Sequence, residues 1–138
     1  MISLIKSDKP TDEILKELIE REVQVGMVEF TNKKDILSVP DSFIKIGNFE
    51  LDILAIDINT GGIVTLDHDQ PDFVMGKVAQ SFAQFVDALK PIEKFFEASM
   101  VDDELYDDEK AMRKVTAESC SIAGGSEYLS FYNMVFGI

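Results

Sequence analysis

Between Ile53 and Leu89 the chain alternates, pauses and then changes period. Leu54, Ile56 and Ile58 fall on one face of an extended segment, with Ala55 and Asp57 on the other. After Asn59-Thr60-Gly61-Gly62 the alternation resumes, Val64 and Leu66 against Thr65 and Asp67. Period-two patterning on both sides of a short Asn/Gly loop predicts an antiparallel hairpin. Gly61 or Gly62 supplies the positive φ that such a loop often needs. A polar connection leads to Ser81, a helix cap completed by Gln84 three residues on. Phe82, Phe85, Val86 and Leu89 then recur at helical spacing and form one apolar stripe. Phe82, Phe85 and Leu89 are expected to pack against the sheet face carrying Leu54, Ile56, Val64 and Leu66.

The rest of the chain reads in the same way. Residues 2 to 5 suggest a short strand or a ragged end. Pro10 introduces a helix from about Thr11 to Glu22, with Ile14, Leu15, Leu18 and Ile19 inward and Asp12–Lys16 and Glu17–Arg21 as pairs on the wet side. Val23 to Phe30 reads as a strand whose Gly26 and late change of phase suggest a bulge or an edge. Thr31 to Asp35 is a polar turn, Ile36 to Val39 is ambiguous, and Pro40-Asp41 marks a break. Phe43 to Ile46 reads as a strand with Gly47-Asn48 as its exit turn, which gives a meander of three strands with the hairpin. Pro91 either starts a new helix or kinks the old one, and Ile92, Phe95 and Phe96 give that stretch an apolar side. A helix from about Asp103 to Ser119 would turn Leu105, Met112 and Val115 inward. Gly124-Gly125 ends it, and Leu129, Tyr132 and Phe136 space a terminal helix that closes the core. The expected fold is therefore α+β, a mainly antiparallel sheet with helices packed around it. The 138 residues are expected to form a single domain.

Composition adds a core and a charge. Hydrophobic residues make up 46% of the chain, enough to bury a core, and the formal net charge is −13. Direct nucleic-acid binding, which needs clustered Lys and Arg, is not expected. A basic protein partner would be attracted and steered by such a charge, although solubility alone also accounts for it. Cys120 is the only cysteine, so no intramolecular disulfide can form, and Glu118-Ser119-Cys120-Ser121 carries no nucleophile signature. A packing role is expected for it. The N-terminal stretch has no sustained apolar region and no run approaches membrane-spanning length, which points to a cytoplasmic protein without membrane contact.

Chemistry is sparse. Asp67-His68-Asp69, with Asp72 nearby, offers carboxylates and an imidazole. Adjacent residues on an extended segment point to opposite faces, so Asp67 and His68 are not expected to share an ion. Asp57, Asn59 and Gly61 only loosely mimic a calcium loop and lack its closing Glu. Gly61-Gly62 and Gly124-Gly125 are isolated pairs, not phosphate-cradling loops. No catalytic residue, cofactor or metal is expected.

Residues 43 to 89 resemble the SUKH superfamily, also called the SMI1/KNR4 family. The pattern is Phe43-Ile44-x-Ile46-Gly47, then Ile53-Leu54-Ala55-Ile56-Asp57, then Gly62-Ile63-Val64-x-Leu66-Asp67-His68, then Val78-Ala79-x-Ser81-Phe82-x-x-Phe85-Val86-x-x-Leu89. Its order and spacing match that family's strand, hairpin and helix over about a third of the chain. Val39-Pro40-Asp41-Ser42-Phe43 stands where many relatives carry a helix, and the tail after Leu89 is long; both features look more like the divergent immunity branches. The resemblance implies a non-enzymatic immunity protein that binds and neutralises a bacterial toxin domain, a nuclease or a deaminase. The alternative it implies is an intracellular regulatory or scaffold protein. It carries over no catalytic residues.

A nuclease or deaminase carries a basic surface for nucleic acid. Carboxylates can occupy it where phosphates would lie. Asp102, Asp103, Glu104, Asp107, Asp108 and Glu109 place six carboxylates in eight residues, with Lys110, Arg113 and Lys114 behind them. A second candidate is Asp67, Asp69 and Asp72 at the hairpin exit. A solvated helix start with no partner remains the alternative for the first stretch.

Overall fold

A computed structural model describes all residues, 1–138. Six strands form one antiparallel sheet in chain order: β1 (Gln24–Val25), β2 (Val28–Phe30), β3 (Phe43–Phe49), β4 (Asp52–Asp57), β5 (Ile63–Leu66) and β6 (Val74–Ala79). The helices are α1 (Thr11–Glu20), α2 (Phe82–Val101), α3 (Asp103–Tyr106), α4 (Glu109–Ala123) and α5 (Leu129–Phe136), and Ile2–Leu4 form a 3-10 turn. The α+β class expected from the pattern is the one observed.

The central hairpin forms as the alternation predicts. Its loop is closed by the Asp57 carboxylate accepting from the Asn59 N–H at 2.9 Å and by the Thr60 hydroxyl accepting from the Gly62 N–H at 3.1 Å. Gly61 takes the positive φ of 76°. Pairing Ile53 with Leu66 and Ala55 with Val64 sets the register. That register corrects one expectation. Leu54, Ile56 and Ile63 face the helices, whereas Val64 and Leu66 lie on the opposite face with Ile53 and Ala55. This second face is a small core of its own, covered by Val39 and Phe43. β4 is thus buried on both sides, which is why Ile53-Leu54-Ala55 is an unbroken apolar run. The segment before β3 has no regular structure; a Lys45–Asp35 ion pair of 2.7 Å, with both side chains largely buried, pins it to the sheet.

Three further boundaries differ from the sequence pattern. The stretch from Val23 to Phe30 is a tight hairpin, β1 to β2, turning at Gly26 with φ 57°; the change of phase marks a reversal, not a bulge. Gly47-Asn48 is not a turn. Gly47 lies inside β3 opposite Phe30, and a Cβ there would stand 2.1 Å from the Glu29 carbonyl oxygen, so close approach of two backbones dictates the glycine. The chain turns instead at Glu50-Leu51, with Glu50 at φ 54°. The expected helix from Asp103 to Ser119 is two helices, because the Asp108 side chain accepts from the Ala111 N–H and starts α4 afresh. The buried side of α4 is Thr116, Ser119, Cys120 and Ala123, while Leu105, Met112 and Val115 are half-buried.

The main core lies between the sheet and the helices. Ser81 caps α2 by accepting from the Gln84 N–H at 3.2 Å. Phe82, Phe85, Val86 and Leu89 are all buried, with Phe30 against both rings and Phe131 against Phe85. α2 runs through Pro91, which removes the helical bond to the Asp87 carbonyl. Beside that gap Ser119 donates to the Ala88 carbonyl at 2.7 Å and ties α4 to α2. One turn further, the buried Glu93 carboxylate accepts from the Ile2 and Ser3 N–H groups at 2.9 and 3.2 Å and holds the N-terminal turn. Cys120 is buried, its thiol donating to the Ala117 carbonyl at 3.3 Å. α5 closes the core with Phe131, Tyr132 and Val135.

Candidate functional site

The acidic stretch occupies the two short joints from α2 to α3 and from α3 to α4. Its aspartates sit where helices begin, which suits the positive end of each helix dipole. Two of the six carboxylates serve the backbone: Asp102 accepts from the Glu104 N–H and Asp108 from the Ala111 N–H, both at 3.0 Å. Glu109 is paired with Arg113 at 2.6 Å. The side-chain carboxylates of Asp103, Glu104 and Asp107 are exposed and take no hydrogen bond or ion pair. Lys110 and Lys114 take no carboxylate partner, so only Arg113 of the basic residues behind the stretch answers it. Pattern reading missed that this surface is not purely polar. Met100, Val101 and Tyr106 stand exposed among the carboxylates. They interrupt the helical stripe after Phe96, which was the available signal.

At the hairpin exit, the chain leaves β5 after Leu66 and turns back on itself. The Asp67 N–H donates to the Phe73 carbonyl, the Phe73 N–H to the Gln70 carbonyl, and the Asp67 carboxylate accepts from the Asp69 N–H at 2.9 Å. His68 lies among three carboxylates: Nδ1 is 3.6 Å from Asp52 and 3.8 Å from Asp67, and Nε2 is 3.4 Å from Asp69. The expectation that Asp67 and His68 point apart is corrected, because the strand has ended and alternation no longer applies. Asp52 joins them through the Ile53–Leu66 pairing, a neighbour that only register reveals. One ligand atom each from Asp52, Asp67 and His68 lies within 4.8 Å of the others, the set on which a divalent cation would draw. Asp69 and Asp72 are exposed.

Comparison of the chain with family models, with curated proteins and with solved structures finds no match. No helix is long and apolar enough to cross a membrane.

Beyond the exit lies what sequence reading missed altogether. The connection between the hairpin and Ser81 contains β6, the last strand of the sheet. Its signal was Phe73-Val74-Met75 and Val78-Ala79, two apolar runs split by Gly76-Lys77. Its pairing with β5 shifts register twice, which spoils a simple alternation. The acidic loop therefore leads directly into an edge strand with exposed apolar side chains.

Proposed function

We propose that this chain is a non-enzymatic binding module that neutralises a bacterial toxin domain by protein contact, working in the cytoplasm. The target is a nuclease or deaminase, whose nucleic-acid surface is basic. The observation that carries the proposal is the exposed carboxylate stretch at the α2–α3–α4 joints, with Asp103, Glu104 and Asp107 unpaired and Met100, Val101 and Tyr106 beside them. Carboxylates there take the place of phosphates, and the apolar side chains supply the area that charge alone does not. A net charge of −13 steers a basic partner toward the whole molecule. The resemblance of residues 43 to 89 to the SUKH superfamily supports the same function.

The test is to express this chain with the product of the reading frame adjoining its own. Co-purification and rescue of growth from that product's toxicity are expected. A stable complex with a non-toxic protein would instead favour the regulatory or scaffold alternative. Turnover of a substrate that Asp67→Ala or His68→Ala abolishes would overturn the non-enzymatic part.

A further inference from the structure

We infer that the free edge of β6 is where an extended, basic segment of a partner adds to the sheet as a seventh strand, an inference that rests on the binding-module reading above. β6 pairs through Ile63–Ala79 to Leu66–Val74 on its inner side only. On its outer side the C-terminal end is covered: the Tyr132 hydroxyl donates to the Val78 carbonyl at 2.9 Å, and the Gln80 N–H donates to the Ala123 carbonyl at 2.8 Å. From Val74 to Lys77 no helix, loop or side chain takes the outward backbone groups. Unpaired backbone along a strand is a template for another strand.

The side chains on this edge match that use. Phe73, Val74 and Met75 are 55%, 43% and 50% exposed. Soluble proteins guard such edges with charge, with bulges that twist the edge or by keeping them short, and of these β6 has the two register shifts against β5. The opposite edge, β1, is kept short at two residues. β6 has six residues, and its single charge, Lys77, is drawn to Glu127 at 3.3 Å. Between the sheet and α5 lies a groove of about 390 Å³ that starts at Met75 and Lys77 of β6 and runs inward past Thr65 to Glu50 and Asp52 at the β3–β4 turn. An added strand would place alternate side chains at the Met75–Lys77 mouth of that groove.

Charge selects the occupant. Asp69 and Asp72 stand at the head of the strand, and Glu50 and Glu127 border the groove. A second copy of this chain would bring the same carboxylates and a further net charge of −13 against them. A segment in which Lys or Arg alternates with apolar residues meets them with opposite charge, while its backbone completes the ladder.

The probe is a synthetic nonapeptide of alternating Lys or Arg and Val, added to the whole chain. Amide hydrogen exchange, read residue by residue by NMR, should slow by about tenfold or more within Val74 to Lys77. The same peptide with Glu in place of its cations, and a version N-methylated on alternate residues, should leave those amides unchanged. Met75→Lys should weaken the basic peptide by about tenfold through like charge, with circular dichroism showing the fold intact. The N-methylated arm needs no change to the protein, so it decides the matter if that variant misfolds. Unchanged exchange with the basic peptide, equal protection by the acidic one, or a concentration-dependent dimer that protects these amides by itself would overturn the inference. A toxin domain that is neutralised while Val74 to Lys77 still exchange freely overturns the edge site and leaves the proposed function standing. Protection by the peptide without neutralisation of any toxin sustains the edge site alone.

Discussion

At the scale of single residues, the fold rests on side chains whose partners are fixed. Phe82 is buried under α2 with the Phe30 ring edge-on at 6.5 Å, so Phe82→Ala should cost about 3–5 kcal/mol in denaturant unfolding. A loss below about one would mean that the helix face is wet. The Phe82 spacing made this legible, whereas Gly47 looked like a turn residue. Only the neighbouring strand shows that a Cβ there would meet the Glu29 carbonyl. Gly47→Ala should therefore destabilise by about 1–3 kcal/mol, although alanine favours strands over glycine in most settings. Tyr132 gives a prediction in pH. Burial pushes its phenol well above the ordinary value of 10.0, with Cys120 and Tyr128 adding in the same direction. A folded pKa above the unfolded one contributes stability that is whole below about pH 10 and is lost as pH rises through the folded value. Melting temperatures from pH 8 to 11 should thus fall above about pH 10, and Tyr132→Phe should flatten that fall. It should not abolish it, because Tyr128 is raised as well, by burial first and then by the Glu127 carboxylate. At neutral pH the same variant leaves the Val78 carbonyl without its donor and should cost about 1–3 kcal/mol.

At the scale of elements, long periodic segments were legible and irregular ones were not. The stripe of α2 and its Ser81 cap are local facts, visible in a dozen residues. The faces of the hairpin are not local. Alternation fixes which residues within a strand share a side, but only register decides that Val64 joins Ala55 and not Leu54. β6 escaped notice because Gly76-Lys77 and two register shifts break its pattern. The break between α3 and α4 escaped because an aspartate pair reads equally well as the first turn of one helix and as the cap of a second. The acidic candidates were legible as sequence, while their exposed neighbours Met100, Val101 and Tyr106 were not. Capping makes the acidic stretch testable without unfolding it. Asp102 and Asp108 are caps, a role that Asn fills nearly as well. Replacing Asp102, Asp103, Asp107 and Asp108 by Asn should leave the melting temperature close to that of the parent. In stopped-flow association with the toxin domain it should lower the rate at low salt and flatten its salt dependence. An unchanged rate and slope would remove this stretch from the interface.

At the scale of the whole molecule, one chain combines a well-filled core with an acidic surface. The sheet is roofed on one face by helices and on the other by the segment that Lys45 and Asp35 hold down. The surfaces proposed for binding lie outside that frame: the joints of α2, α3 and α4, the exit of the hairpin, and the edge of β6. The proposed binding at such places would block a partner without chemistry, and blocking by binding has its own arithmetic. An inhibitor that acts by contact is consumed in proportion to its target, whereas an enzyme that inactivates a toxin acts at a small fraction of an equivalent. The most direct test is to titrate the purified toxin domain's nuclease or deaminase activity with this protein at concentrations well above their dissociation constant. A linear fall to zero at one equivalent is expected, with full activity recovered when the complex is separated under denaturing conditions and the toxin refolded. Unchanged activity past one equivalent, or inactivation by substoichiometric protein that persists after separation, would contradict inhibition by contact.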